Sequence, residues 1–427
     1  MAAYRRRAWR SSDHRFLLIL VLVLVLEMPK NPGDEDEDEK DGPNRYRPNF
    51  GQGRKSRRTA GNSALDRNPS WPNVSAVNFD ENRFTSPAPP QPPVPASRGK
   101  STTTWFALYG FLFVSIALFA YVTNVLLGPL RLLLLDPPLF LRINGLVIWY
   151  SGIPLVIGAL LISWDLFRNV TRIRHAKFVR NDPPANQFLT VALTAYNDER
   201  SIAGAVKDFR AHPLVKRVLV ISNNSTDKTM ELATQAGAIV FNETRQGYGA
   251  CVHRALREAL KFEDTELTML CEGDLTFRAA DIGKFLAYIP HADVVNGSRI
   301  VEQLQERDTQ LSLYMHYGNL FAGKVLELKH LGMVSLTDVG TTYKLCRNAT
   351  LRELIPRLDP RINLEFNVYF LDMALNAGVR IIECPVAFYP RVGTSKGGNV
   401  NNRIATRLGL SMLLGIFADW KGHANDR

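Results

Sequence analysis

The stretch FLTVALTAYNDE, residues 188–199, sets an unbroken apolar, β-prone run against an abrupt polar turn. That is the profile of a strand buried on both faces and ending at solvent. Ser201 to Arg210 then reads as a helix, and RVLVIS (217–222) repeats the pattern, ending at Asn223-Asn224-Ser225 before a helix through Met230 and Gln235. Ala238 to Phe241, a helix from Gly249 to Leu260, the strand Leu267 to Cys271, a helix near Asp281 to Tyr288 and the strand Asp293 to Asn296 continue it. Strand, helix, strand at these spacings predicts an α/β domain whose mostly parallel sheet is covered on both faces. In such sheets ligands bind beyond the carboxyl ends of the strands. The rule selects the turns after Ala195, Ser222 and Cys271.

Those turns carry Tyr196-Asn197-Asp198-Glu199, Asn223-Asn224-Ser225-Thr226-Asp227 and Glu272-Gly273-Asp274. In the third, two carboxylates separated by one glycine can face one ion, and Mg²⁺ or Mn²⁺ prefers such oxygen ligands together with substrate phosphates. An acid-x-acid triplet also occurs on ordinary solvated turns, so its position at a strand end is what gives it meaning. Asp227, Ser225 or Thr226 would cap the following helix, a role compatible with anion binding at a helix N-terminus. Gln246-Gly247-Tyr248-Gly249 precedes a helix but is not GxGxxG, which excludes a dinucleotide fingerprint. His253, within that helix, reads as a packed or solvated residue.

Taken in order, AYNDE (195–199), SNNSTDKT (222–229), QGYGA (246–250), CEGD (271–274), NGSR (296–299), TDVGTTYKLCR (337–347) and IIECPVAFYPRVGTSK (381–396) resemble family 2 glycosyltransferases of the GT-A fold. The closest likeness is to the branch that transfers a hexose to dolichyl or polyprenyl phosphate, and it covers roughly residues 185–400. The resemblance implies a GT-A domain with a nucleotide-sugar donor. It makes Tyr196, Asn197 and Asp198 part of the wall around the donor base and ribose, with Asp227 nearby. Glu272 and Asp274 become the donor diphosphate and metal site, and Asp338 an acid lining the acceptor side. Lys344 stands where the family usually has Arg, and Arg391, Ser395 and Lys396 match a basic segment that closes over phosphate. Three positions depart from the family pattern: Asn223 for an acid, Glu272 for the first Asp of DxD, and Thr276 for a frequent Gln.

Upstream of this region, Trp105 to Leu127 is free of formal charge and long enough to cross a bilayer, and Ile143 to Ser163 is a second such stretch. Gly128, Pro129, Pro137 and Pro138 interrupt the helix between them. The expectation is a transmembrane hairpin; two buried core helices are the alternative. Arg168, Arg172, Arg174, Lys177 and Arg180 follow with no acid between Arg168 and Arg180, which places the catalytic domain in the cytoplasm by the positive-inside rule. Arg98 and Lys100 agree, whereas Arg131 and Arg142 in the connecting loop weaken the asymmetry. The same basic flank suits anionic headgroups.

The predicted organisation is a low-complexity tail over 1–103, two spanning helices over 104–167, a basic juxtamembrane linker over 168–184, the catalytic domain over 185–400 and a C-terminal helix over 401–427. The tail holds Arg5, Arg6, Arg7 and Arg10, an apolar run Phe16 to Leu26 that is short for a span, and the acidic block Asp34 to Glu39. Ser86 to Ser97 (SPAPPQPPVPAS) is a proline-rich linker. RLGLSMLLGIFADW (407–420) would lie in the lipid interface or pack on the domain. With 427 residues, 46% of them hydrophobic, most of the chain can bury a core, which excludes a wholly disordered protein. The net charge of +11 fits nucleic acid, anionic lipid or a phosphate-rich substrate alike. The basic residues cluster beside the apolar runs and at phosphate-suited turns without aromatic interleaving, which argues against nucleic acid. Cys251, Cys271, Cys346 and Cys384 show no metal-finger or disulfide spacing and suit a reducing compartment.

A sugar on a nucleoside diphosphate departs more readily when a cation holds the pyrophosphate oxygens. A hydroxyl acceptor would need a base, for which Asp338 is the candidate; a lipid phosphate is already ionised and needs basic residues instead. Arg299, Lys344, Arg391 and Lys396 supply them. Attack opposite the clamped donor inverts the anomeric centre. A processive synthase would carry QxxRW, yet no Trp occurs between Trp164 and Trp420. An inactive membrane scaffold is the reading in which the three departures have abolished donor chemistry.

Overall fold

The computed structural model describes residues 103–127, 138–173, 179–306, 309, 311–393 and 402–421. The tail over 1–102, the prolines and glycine at 128–137, the basic residues Arg174 and Lys177, and Ser395 and Lys396 lie outside them. Among the described residues seven strands form one sheet: β1 (Leu189–Ala195), β2 (Val215–Ser222), β3 (Ile239–Asn242), β4 (Leu267–Glu272), β5 (Val294–Ser298), β6 (Lys344–Arg347) and β7 (Ile381–Pro385), in the order β3-β2-β1-β4-β6-β5-β7. β1 pairs in parallel with both β2 and β4, β2 with β3 and β5 with β7, while β6 runs antiparallel between β4 and β5. The mostly parallel sheet is therefore as expected, with β6 as an antiparallel insertion that its four-residue length kept out of the periodicity.

Every residue of β1 is buried, because alternate side chains feed two cores. Leu189, Val191 and Leu193 face one core with Ile202, Val206 and Phe209, and Ala192 faces the other with Val252, Leu256 and Phe370. Helices cover both layers. α1 (Trp105–Leu126), α2 (Pro138–Tyr150) and α3 (Gly152–Ile173) precede the sheet, and α4 (Ile202–Arg210), α5 (Thr229–Gln235), α6 (Tyr248–Ala259) and α7 (Ile282–Tyr288) alternate with its strands. α8 (Leu313–Lys329), α9 (Asn348–Leu354), α10 (Phe366–Asn376) and α11 (Asn402–Ala418) complete the chain.

Two helical stretches, Trp105–Leu126 and Arg142–Asn169, are long and apolar enough to cross a membrane. The second spans α2 and α3, with a break at Ser151, and so begins earlier than the apolar run at Ile143 suggests. α1 and α3 touch at glycines: a Cβ on Gly110 would lie 2.6 Å from the Gly158 carbonyl oxygen, and one on Gly158 2.5 Å from that of Gly110. Only Gly lets the two backbones approach so closely. Asp165 of α3 is fully buried, and its carboxylate accepts the Ala107 amide of α1 at 2.9 Å, with Arg168 Nη2 3.5 Å from its other oxygen. It thus serves an otherwise orphaned amide in the first turn of α1.

The base of α1 is continuous with the sheet domain. Leu108 shares a core with Ala322, Leu326 and Phe370, as do Ile416 and Trp420 at the end of α11. The α11 segment therefore packs on the domain, while Ile404 and Leu410 on it remain exposed. Lys329, Asp372 and His330 form a fully buried polar knot there. Lys329 Nζ donates to Asp372 Oδ2 (2.8 Å), the Ile416 carbonyl (3.0 Å) and Asp419 Oδ1 (3.1 Å). Trp420 Nε1 donates to Asp372 Oδ2 at 2.8 Å, and His330 Nε2 lies 2.7 Å from Asp372 Oδ1.

Candidate active site

The strand register brings the three turns together. Ala195 lies opposite Ser222 and Thr194 opposite Glu272, so each polar segment starts within a residue of one common row at the carboxyl edge. The chain runs from β1 outward through β2 to β3 and returns to β4 on the other side, which makes the β1/β4 boundary the topological switch point where such sheets bind ligands. Backbone bonds bind the turns to the sheet: Asn223 N–H to the Ala195 carbonyl (2.8 Å) and Gly273 N–H to that of Thr194 (2.9 Å). A Cβ at Gly273 would stand 2.5 Å from Ile202 Cδ1, so the acid-glycine-acid turn needs its glycine to lie on α4.

The first two turns hold each other. Thr226 N–H donates to Asn197 Oδ1 (2.8 Å), and Asn197, at φ 49°, donates its own amide to Ser225 Oγ (3.0 Å). Asp227 accepts from the Thr229 amide (3.0 Å) and hydroxyl (2.5 Å) and from the Glu199 amide (3.2 Å). It therefore holds the first amide of α5 from the residue ahead of the N-cap Lys228, and ties that turn to the first one. Asp198 accepts the Tyr196 amide at 3.0 Å, and the Tyr196 ring is exposed at the rim. Asn223 is also committed to structure. Its amide donates to the carbonyls of Arg245 (2.8 Å) and Glu243 (3.4 Å), and its oxygen accepts the Gly247 amide (2.9 Å). A carboxylate could not donate these bonds, which is a physical reason for Asn at this position.

Asp274 is buried, and its Oδ1 accepts both the amide (3.0 Å) and the hydroxyl (2.6 Å) of Thr276. Leu275 between them adopts φ 66°, a left-handed conformation costly for a bulky residue, here held by packing against Gly204. Thr276 thus spends its side chain on orienting Asp274. Glu272 is partly exposed, and its Oε1 accepts the Thr342 hydroxyl at 2.6 Å. Burial, with the Asp274 charge beside it, raises the Glu272 carboxyl to about 7 against the pull of Arg391.

Arg391 reaches across all three acids. Its Nη1 lies 3.1 Å from Asp274 Oδ2 and 3.8 Å from Glu272 Oε2, and its Nη2 donates to Asp198 Oδ1 at 3.2 Å. Burial works against this guanidinium, but the carboxylates outweigh it and hold its pKa above the ordinary value. Because one nitrogen is within reach of both Glu272 and Asp274, their free oxygens converge on a single cationic position. Two hard oxygens are a partial set for a divalent ion that completes its shell with water and phosphate, so the residues fit Mg²⁺ or Mn²⁺. Among the described residues no group of three or more His, Cys, Asp or Glu side chains forms a complete cage.

A second polar group lies on the β5–β6 side. Arg299 and Asp338 form a fork: Nε to Oδ2 at 2.7 Å and Nη2 to Oδ1 at 2.8 Å, with the Arg299 and Gly340 amides also donating to Asp338 (3.0 and 3.2 Å). Burial opposes the Asp338 charge but Arg299 prevails, leaving its pKa below the ordinary range. A carboxylate saturated in this way is a poor proton acceptor. Lys344 is buried and donates to the Thr341 carbonyl; burial lowers its ammonium to about 8 despite Asp338. Two further residues escaped the sequence reading. Glu383 accepts from the Thr337 amide (2.8 Å) and hydroxyl (2.6 Å) and from the Asp338 amide (2.9 Å), fixing the segment that carries Asp338. Tyr248 joins the two groups, its hydroxyl 2.9 Å from that of Thr342 and 3.2 Å from Asn367 Oδ1. Neither bears a signal beyond membership of the motif segments around it.

The geometry thus gathers Asp198, Glu272, Asp274 and Arg391 in one cluster and Arg299, Asp338 and Lys344 in a neighbouring one, with Tyr196 and Asn197 at the rim. The Glycosyl transferase family 2 domain matches residues 190–354, from β1 into α9. An uncharacterized glycosyltransferase of Mycobacterium tuberculosis (strain ATCC 25618 / H37Rv) is 35% identical over 210 residues, 49% of this chain and 88% of its own. A dolichyl-phosphate hexose transferase of Haloferax volcanii is 25% identical over 209 residues, 49% of this chain and 86% of its own. The glucosyl-3-phosphoglycerate synthase of Mycobacterium tuberculosis, solved with Mn²⁺, UDP and phosphoglyceric acid, aligns over 55% of this chain and 79% of its own with 15% identity. Its TM-score of 0.41 is too low to bear on the argument. A sheet whose switch point holds paired acids, the family 2 domain over 190–354, and a 35% identical glycosyltransferase matched over 88% of its length together make the chain a member of glycosyltransferase family 2.

Proposed function

We propose that the protein is a membrane-bound inverting glycosyltransferase that moves a hexose from a nucleotide sugar to a polyprenyl or dolichyl phosphate at the cytoplasmic face. The observation that carries the reading is the convergence of Glu272 and Asp274 on one cationic position at the switch point. When bound there, Mg²⁺ or Mn²⁺ would stabilise the charge that develops on the departing diphosphate. Glu272 and Asp274 would hold that ion, and Tyr196, Asn197 and Asp198 would line the base and ribose. Thr276 and the strained Leu275 keep Asp274 aimed, so no reorganisation is needed at the moment of transfer.

The acceptor side favours a phosphate nucleophile. Asp338 is tied up by Arg299 and the Gly340 amide, so the general base that a hydroxyl acceptor requires is missing from the one candidate position. Arg299, Lys344 and Arg391 supply cationic donors, with Ser395 and Lys396 as further candidates. A polyprenyl phosphate keeps its tail in lipid, which suits a domain whose core takes in the base of α1, one of two stretches apolar enough to span a bilayer. The identity between this chain and a dolichyl-phosphate hexose transferase supports the same acceptor.

The test is transfer by the purified full-length protein with Mn²⁺ or Mg²⁺. Radiolabelled UDP- and GDP-hexoses are offered with polyprenyl phosphate, and in parallel with diacylglycerol. Label in an acid-labile, phosphate-linked lipid is expected. Label only in the neutral lipid, or in neither, would overturn the assignment.

A further inference from the structure

The Arg391 guanidinium sits where the divalent cation of the proposed function would sit. Its Nη1 is 3.1 Å from Asp274 Oδ2 and 3.8 Å from Glu272 Oε2, and the two carboxylates have their other oxygens engaged by Thr276 and Thr342. The free oxygens of the pair can therefore meet either the guanidinium or an ion, and the two cations exclude each other by charge and by volume. The guanidinium is not fully seated in this position: its Nε is buried and makes no hydrogen bond. An Arg with a donor to spare, held by carboxylates, has an unused arm of the planar fork that recognises phosphate.

We infer that Arg391 acts as a resident counter-ion of Glu272 and Asp274 until the divalent cation is bound, and that loading of the cation displaces it from them. The inference rests on the reading of those two acids as the cation site. Its consequence is an order of events. Before loading, Arg391 offsets part of the negative charge of these acids and is unavailable to an incoming phosphate. After loading, its five N–H groups are released beside the diphosphate and toward the acceptor side. The protein would thus present its strongest phosphate-binding fork only when a donor is in place, which disfavours unproductive capture of the lipid phosphate by an unloaded site.

The experiment is Mn²⁺ binding to the purified full-length chain in detergent without sugar nucleotide, followed by electron paramagnetic resonance of the free ion. R391Q is expected to bind Mn²⁺ about tenfold more tightly than the unaltered protein, one charge-assisted contact being of that order. R391K keeps the charge but not the fork and should fall between the two; it also serves if R391Q does not fold. Equal affinity in the unaltered protein and both variants overturns the inference and leaves the proposed function standing. R299Q is the control for a general field effect, because that guanidinium feels the Glu272 charge but is paired with Asp338. Equal tightening in R299Q also overturns the inference. Absence of Mn²⁺ binding in every form, or binding to R391Q that survives D274N, removes the cation site and with it both conclusions.

Discussion

Two buried charge clusters in this protein are built on opposite plans. At the base of the helical pair, Lys329 directs its three donors to Asp372, Asp419 and the Ile416 carbonyl, and Asp372 also receives Trp420 and meets His330. At the carboxyl edge of the sheet, Glu272 and Asp274 share a single nitrogen of Arg391, whose Nε is left over. The first cluster joins α8, α10 and the end of α11, and its ammonium places all three donors on protein acceptors. The second sets three carboxylates against one guanidinium. A cation whose donors are all used is a structural tie, whereas carboxylates in excess leave room for what a site binds.

The sharpest way to break this contrast is to remove one partner from each cluster. Asp372→Ala should destabilise the fold by about 3–5 kcal/mol, since it strands the buried Lys329 ammonium, and thermal unfolding in detergent would read the loss. Asp274→Asn should leave unfolding nearly unchanged and lower hexose transfer by about 100- to 1000-fold, the range for removing one preorganised electrostatic contact at a transition state. A reversal of these two outcomes would mean that the roles of the clusters have been exchanged.

Acid distinguishes them further. Burial opposes ionisation of Asp372, but His330 and Lys329 more than compensate and depress its pKa. A depressed carboxyl contributes stability that is present above its unfolded pKa of about 3.9 and is lost as pH falls through the folded value. Stability of the unaltered protein should therefore drop on acidification below about pH 4, and Asp372→Asn should flatten that limb of a denaturation-versus-pH curve.

Smaller effects probe the frame of the site. Asn223→Asp removes the donors to Arg245 and Glu243 carbonyls and should cost about 1–3 kcal/mol; a variant as stable as the parent would mean that the amide is not what selects Asn there. Asp227→Ala removes the acceptor of the first α5 amide and should cost about 1 kcal/mol in thermal unfolding.

The sequence made β1, β2 and β4 readable because each is an apolar run closed by a polar turn, and the parallel-sheet rule then located the crevice before any contact was known. It also named the residues that meet there, from Asp198 to Arg391. Other features depend on partners far along the chain. The antiparallel β6 has four residues and no period of its own, and α8 mixes apolar and polar positions all round, so neither announces itself. That Asp338 is saturated follows only from the fork of Arg299, 39 positions earlier. Arg391 reads as an acceptor-side residue by its motif, yet its guanidinium lies 193 positions from Asp198 along the chain and within hydrogen-bonding distance of it in space.

Asp165 has a bearing on how the molecule is assembled. Its carboxylate is embedded in a helix whose surroundings are otherwise oily, and it is satisfied by the amide of Ala107 from the other helix. Within its own helix the acid has only Arg168, one turn on, and the amide start of the other helix has no partner of its own. The two rods should consequently depend on each other, so that Asp165→Ala loosens the start of α1 as well as α3.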